Sequence, residues 1–176
     1  MEAATETLAA PPAPAADAPP IEIVRWAIDV INTHDVTPLK PYWESTVEYF
    51  PGLTAHGADE IAAYFEDTFA AMPDFHIEIM GIAADGENVL MRWRATGNFT
   101  GESFQGITAT GHPVVIDGHD HFVIRDGQII SNNVAYDRLD YAQQIGLLPP
   151  DDTAVDRVLK SAFNLKTKAF AAIKRN

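Results

Sequence analysis

The chain has 176 residues, 47% of them hydrophobic, with a net charge of −13 and no cysteine. That length suits one well-buried core and is short for two ordinary domains. The acidity speaks against a nucleic-acid partner, the missing cysteines exclude disulfides, thiolate metal sites and a cysteine nucleophile, and no apolar run reaches the roughly 18–20 residues that span a bilayer.

Residues 1–20 are mostly Ala, Pro and acidic residues, too apolar-poor to offset ordering entropy, so a disordered tail is predicted. The start, Met1-Glu2-Ala3-Ala4-Thr5-Glu6, lacks the basic segment of a signal peptide, and a cytoplasmic protein with no membrane partner is expected. Ile23, Val24, Ala27, Ile28 and Ile31 recur at helical spacing and predict a first amphipathic helix up to about Thr33. Thr37-Pro38 reads as N-cap and first residue of a short second helix, and Val47–Phe50 as a short strand stopped by Pro51-Gly52. A third helix is predicted from Asp59 to Ala71, ended by Pro73-Asp74.

Beyond Pro73 the hydrophobic period changes from 3.6 to 2, over 75–79, 89–94, 114–125 and 128–136. A short helix over 138–145 stops at Gly146. Thr153 is placed to cap a last helix whose Val155, Val158, Leu159, Phe163 and Phe170 form an apolar stripe. The stripe must be buried on its own domain or on a partner subunit; the pattern does not choose, and a homodimer is the expected assembly. The chain therefore reads as a tail (1–20), an α+β domain (21–150) and a C-terminal helical extension (151–176).

Asp126-Gly127, between two β-rich runs, predicts a two-residue hairpin. Pairing Arg125 with Gln128 and continuing without interruption puts Asp120, Phe122, Ile124, Ile129, Ser131, Asn133, Ala135 and Asp137 on one face. Two carboxyls and an amide among Phe and Ile form a candidate acid/base set, because desolvation favours the neutral acid. The plainer reading is a wet face, with Asp137 capping the next helix.

Arg92, Gly97-Asn98-Phe99-Thr100-Gly101, Phe104-Gln105-Gly106, Thr110-Gly111, Gly118-His119-Asp120-His121-Phe122, Asp126-Gly127-Gln128-Ile129, Asp137 and Gln144-Ile145-Gly146 follow in the order of the SnoaL-like polyketide cyclase (ester cyclase-like) family. Over about residues 22–149 the chain resembles that family. The resemblance implies a cone-shaped fold of the nuclear transport factor 2-like superfamily: a curved antiparallel sheet packed on three N-terminal helices, here with an extra C-terminal helix. It also implies a pocket between helices and sheet, no cofactor, and an aspartate ending the last strand as acid/base for aldol closure, the position of Asp137. The sequence departs from the family at Asn133, where tryptophan is usual, and at Ser131, Phe99 and Val123. The ketosteroid isomerases of this fold place a base after a Val-Glu pair, where this chain has Tyr49 and Phe50. The epoxide hydrolases need Arg-x-Asp, where it has Arg92-Trp93-Arg94.

The predicted function is acid/base proton transfer, of cyclase or isomerase type, on a small apolar carbonyl-bearing substrate. Asp137 and Asp120 are the catalytic candidates; Asn133, Tyr49, Phe65, Phe69, Trp93, Phe104 and Phe122 are the substrate-binding candidates. The alternative is a non-catalytic ligand-binding or dimerisation module on the same fold. His119 and His121 share a strand face, but parity offers only Asn132 beside them, so no metal site is predicted.

Overall fold

The structure is a computed structural model that describes residues 9–15 and 17–173. Helix α1 (Pro20–Ile31) starts on a proline in its first turn, and its apolar face buries Ile23, Val24, Ala27, Ile28 and Ile31. A 3-10 helix (Thr37–Tyr42) follows, kept short by Pro38 and Pro41. Thr37 lies inside it and caps nothing; the Asp35 carboxylate instead accepts from the Thr37 N–H at 3.0 Å. Helix α2 (Gly57–Ala71) comes next, after a small hairpin of β1 (Val47–Phe50) and β2 (Leu53–His56), the second strand of which had no sequence signal.

Strands β3 (His76–Asp85), β4 (Asn88–Asn98), β5 (Pro113–Arg125) and β6 (Gln128–Tyr136) form an antiparallel meander. The hairpin β1–β2 adds to its far edge, giving one six-stranded sheet in the order β2-β1-β6-β5-β4-β3. The β1–β6 pair is parallel, so the sheet is antiparallel everywhere else. Bulges between Ile79 and Gly81 and at Ile130 increase the local bend and twist. The sheet curves without closing. Its concave face holds Met91, Trp93, Ile116, Phe122 and Ile129, which share a core with Ile28 and Ile31 of α1 and Ile61 and Phe65 of α2.

Helix α3 (Arg138–Gln144) finishes the edge of β5 that β6 does not reach. The Gln144 amide accepts from the Val115 N–H and donates to its carbonyl, each at 2.8 Å, as a pairing strand would. Helix α4 (Ala154–Ile173) is capped by Thr153, whose hydroxyl accepts from the Asp156 N–H at 3.2 Å. The predicted disordered tail needs correcting where it is described. The Trp26 indole N–H donates to the Pro11 carbonyl at 3.1 Å, and Ala10 and Ala18 pack on the core. A buried indole N–H needs an acceptor, and an extended Pro-rich segment has carbonyls free. Residues 1–8 and 16 lie outside the described residues.

Candidate active site

The concave face of the sheet and the helices enclose a cavity of about 120 Å³. Its walls are apolar: Ile28 and Ile31 of α1, Phe65 and Met72 at α2, and Ile116, Phe122 and Ile129 from the sheet, with Trp93 and Phe104. A dry cavity of ~150 Å³ takes a benzene ring, so this one suits a ring-sized portion of an apolar ligand. Into this apolar wall the sheet places three polar side chains, Glu48, Asp120 and Asn132, exposed by 4%, 8% and 2%.

Strand register brings them together. Asn132 on β6 sits directly opposite Glu48 of β1 on one side and Phe122 of β5 on the other, with Asp120 diagonal to it. Its Nδ2 donates to Glu48 Oε1 at 2.7 Å and to Asp120 Oδ2 at 3.1 Å. The second Asp120 oxygen accepts from the Trp93 indole N–H at 2.8 Å. One amide thus ties two buried carboxyls, and among the described residues no cation pairs with either.

Burial pushes the Asp120 carboxyl up to about 6, against the opposing hydrogen bonds from Trp93 and Asn132. Burial raises Glu48 well above the usual carboxylate range; the neighbouring Asp120 charge adds to this and the Asn132 bond opposes it. Two such acids cannot both ionise cheaply, so Glu48 keeps its proton while Asp120 titrates at about 6. The Asn132 Oδ1 is buried without a hydrogen-bond partner among the described residues.

Three phenols complete the polar wall. Tyr64, Tyr136 and Tyr141 line the cavity. Burial and the adjacent Tyr136 raise Tyr64, burial raises Tyr136, and burial with Tyr136 pushes Tyr141 up to about 12. All three therefore remain hydroxyl donors at neutral pH.

Asp120, Trp93, Phe65, Phe104 and Phe122 stand where the sequence placed them, on the cavity wall. Asn133 and Asp137 do not, and the cause is the bulge. Arg125↔Gln128 and Ile124↔Ile129 pair as predicted, and Asp126 and Gly127 both have positive φ, as a type I′ turn requires. Ile130 is then skipped: Val123 pairs with Ser131, and Phe122 with Asn132. A one-residue shift turns every later side chain over. Asn132, Val134 and Tyr136 face the cavity, whereas Asn133 points outward and is exposed.

Asp137 lies outside the cavity as the N-cap of α3, its Oδ1 accepting from the Leu139 and Asp140 N–H groups at 2.8 and 3.1 Å. Its replacement by alanine is expected to cost about 1 kcal/mol of stability in urea unfolding while leaving ligand affinity for the cavity unchanged. Tyr49 is corrected as well. On β1 it faces out and is 44% exposed, because its neighbours Glu48 and Phe50 face in. Phe69 is buried beside the cavity rather than on it, stacked on His34 with centroids 4.4 Å apart. His121 contacts Asn88 Oδ1 at 2.9 Å, and among the described residues no three His, Asp or Glu side chains converge as a metal site would need.

Glu48, Asn132 and the three tyrosines were not anticipated. The alternation of Val47–Phe50 held the signal for Glu48, since burying Phe50 buries Glu48 with it. No sequence signal marked the bulge that turns Asn132 inward.

The family model of the SnoaL-like polyketide cyclases matches residues 21–145, well over half of the chain. The chain belongs to the SnoaL-like polyketide cyclase family. Solved structures share its fold at low identity. A protein assigned as a SnoaL-like polyketide cyclase from Jannaschia sp. CCS1 is 21% identical, with a TM-score of 0.66 over 74% of this chain and 93% of that one. AclR from Streptomyces galilaeus, assigned as a hydroxylase, is 22% identical, with a TM-score of 0.62 over 83% and 90%. IdmH from Streptomyces antibioticus, assigned as a polyketide cyclase, is 21% identical, with a TM-score of 0.62 over 72% and 98%. No curated protein sequence matches this chain. No described helix is long and apolar enough to cross a membrane.

Proposed function

We propose that this SnoaL-like protein is a small-molecule enzyme that moves a proton on an apolar, carbonyl-bearing substrate, with Asp120 as acid/base. The reading is carried by one observation: a buried carboxyl, which burial pushes up to about 6, stands on the wall of an apolar cavity, held by Trp93 and Asn132. A base poised near the working pH is the arrangement proton transfer favours.

In the forward step the Asp120 carboxylate removes a proton from the carbon next to the carbonyl. The C–H electron pair moves onto the carbonyl oxygen as an enolate, and the new O–H is on Asp120. Hydroxyls of Tyr64 and Tyr136 are the donors available to that oxygen, and the neutral Glu48 keeps a second negative charge away from it. In a cyclase the enolate carbon then attacks a second carbonyl of the same molecule, and Asp120 returns the proton to the new alkoxide. In an isomerase the proton returns to another carbon.

Deuterium incorporation next to the carbonyl of an aryl β-keto ester, followed by NMR in heavy water, tests the reading. Exchange should saturate with ester concentration and rise with pH through about 6, the value to which Asp120 is pushed. Unchanged exchange in Asp120→Asn, with the variant still binding the ester by Trp fluorescence, would refute the proposal. A non-catalytic binding module is the second reading, favoured by Asp137 being engaged by backbone N–H groups alone. It predicts saturable binding of the ester with no exchange above the buffer rate.

A further inference from the structure

Among the described residues helix α4 is the one long element without a place in the core. From Arg157 to Lys168 every side chain is exposed, and Val155, Val158, Leu159, Phe163, Leu165 and Phe170 are each 51–71% exposed. At 100° per residue these six fall on one side of the helix, in an arc of roughly 160°. A 20-residue helix is ~30 Å long, so the stripe is on the order of the largest apolar patches that monomers leave in water. The residues that match the family end at 145, so this helix is an addition to the family domain.

Charge says what the stripe meets. Six of the twelve Lys and Arg residues, but one of the twenty-five acidic residues, fall within 154–176; that segment carries +5 and the rest of the chain −18. A cationic amphipathic helix is complementary to the acidic body of its own kind. An anionic membrane would attract the helix but repel the body attached to it.

The body also has an uncovered surface of mixed character, the outer face of the sheet, where Leu90, Val115 and Tyr49 stand exposed beside His121, Asn133 and the Arg92–Asp117–Arg94 ion pairs. Ala83, Leu90, His121, Asn133 and Tyr49 lie side by side across β3, β4, β5, β6 and β1, with Leu90 59% and Tyr49 44% exposed. Among the described residues no helix lies on it: α1 and α2 occupy the concave side, and α4 stands free. An amphipathic helix and a bare sheet face are the two halves of a layer packing.

We propose that α4 docks on the outer sheet face of a second copy of this chain, reciprocally, so that two copies exchange their C-terminal helices. A two-fold exchange buries both stripes and both sheet faces at once, on the scale of the ~1,600 Å² that stable complexes bury. Lys160 and Lys168, one on either side of the stripe, then lie over the acidic body, and the dimer weakens as salt rises.

Sedimentation of the full chain and two full-length variants tests this. Phe163→Glu alters the stripe and Leu90→Lys the sheet face; both side chains are exposed, so the fold should persist, as the far-ultraviolet circular dichroism will report. The parent should sediment at twice the chain mass and each variant at the single mass. An equimolar mixture of the variants should partly recover the dimer, since one intact helix then meets one intact sheet face. A parent at single mass overturns the proposal, whether or not it pelletes with phosphatidylserine vesicles. A Leu90→Lys chain that stays dimeric, or a mixture that recovers nothing, overturns the docking on the sheet.

Discussion

Replacing Asp120 with asparagine is expected to abolish turnover and to flatten the dependence of stability on pH. The first effect follows if Asp120 carries the proton: the amide cannot accept it, and losing a positioned acid/base typically removes 10²–10⁴-fold in rate. The second follows from linkage whatever the reaction is. Unfolded, Asp120 titrates near 3.8; folded, near 6. Between those values the folded state binds more protons, so the favourable contribution is present at low pH and is lost as pH rises through 6. A shift of two pKa units corresponds to about 3 kcal/mol at pH 8. The parent should therefore lose about that much stability between pH 4 and pH 8 relative to Asp120→Asn. Glu48, raised in the same direction, adds to the parent's slope, and Glu48→Gln should flatten it too. Exposed carboxylates held low by arginine, such as Asp117 and Glu87, slope the other way but are common to all three proteins. Urea unfolding at both pH values gives the comparison. A parent and Asp120→Asn with parallel pH profiles would mean that Asp120 is not buried as an acid.

A buried acid that weakens the fold at working pH is the energetic signature that the proposed role of Asp120 requires. Most of what surrounds Asp120 could be read without the structure, and the rest shows where such reading stops. Helices announce themselves through apolar residues three and four apart, and α1, α2 and α4 lie close to where those residues put them. The Asp126-Gly127 turn was equally legible, because type I′ geometry asks for two positive φ angles and few residue pairs accept them. Up to Ile129 the parity of the hairpin then holds. Ile130 breaks it, and nothing in its chemistry says so: a β-branched residue suits a bulge and a regular strand alike. The consequence is confined to β6. It exchanges Asn133 and Asp137 for Asn132 and Tyr136, and leaves Asp120 and Phe122 in place.

Glu48 was legible only in part: alternation with Phe50 turned it inward, but its charge spoke against burial. In isolation a glutamate flanked by Val47 and Tyr49 on a short strand belongs in water, since carboxyls are seldom buried without a partner. Its partner, Asn132, is 84 residues away and faces inward only because of the bulge. The site is thus a product of register between β1, β5 and β6, which no local pattern encodes. Family resemblance could not supply it either, because the position it favoured, Asp137, is here a helix cap.

Register also sets the seat of Trp93, which leads to the second large effect, expected at Gly118. Trp93 and Gly118 are direct partners across β4 and β5, and the indole lies over the glycine. A β-carbon on residue 118 would overlap the six-membered ring of the indole, and Trp93 is 7% exposed, with little room to move. Gly118→Ala should therefore cost 1–3 kcal/mol by overpacking, read as a lower urea midpoint at constant slope. The same displacement pulls Nε1 away from Asp120. That hydrogen bond holds the carboxyl down, so its loss must raise the pKa further and move the acid limb of the exchange rate to higher pH. Trp93→Phe separates the two effects. It deletes the indole N–H without crowding Gly118, and should shift the pH limb in the same direction. An acid limb that stays at the parental pH in both variants would show that the indole packs beside Asp120 without controlling its proton.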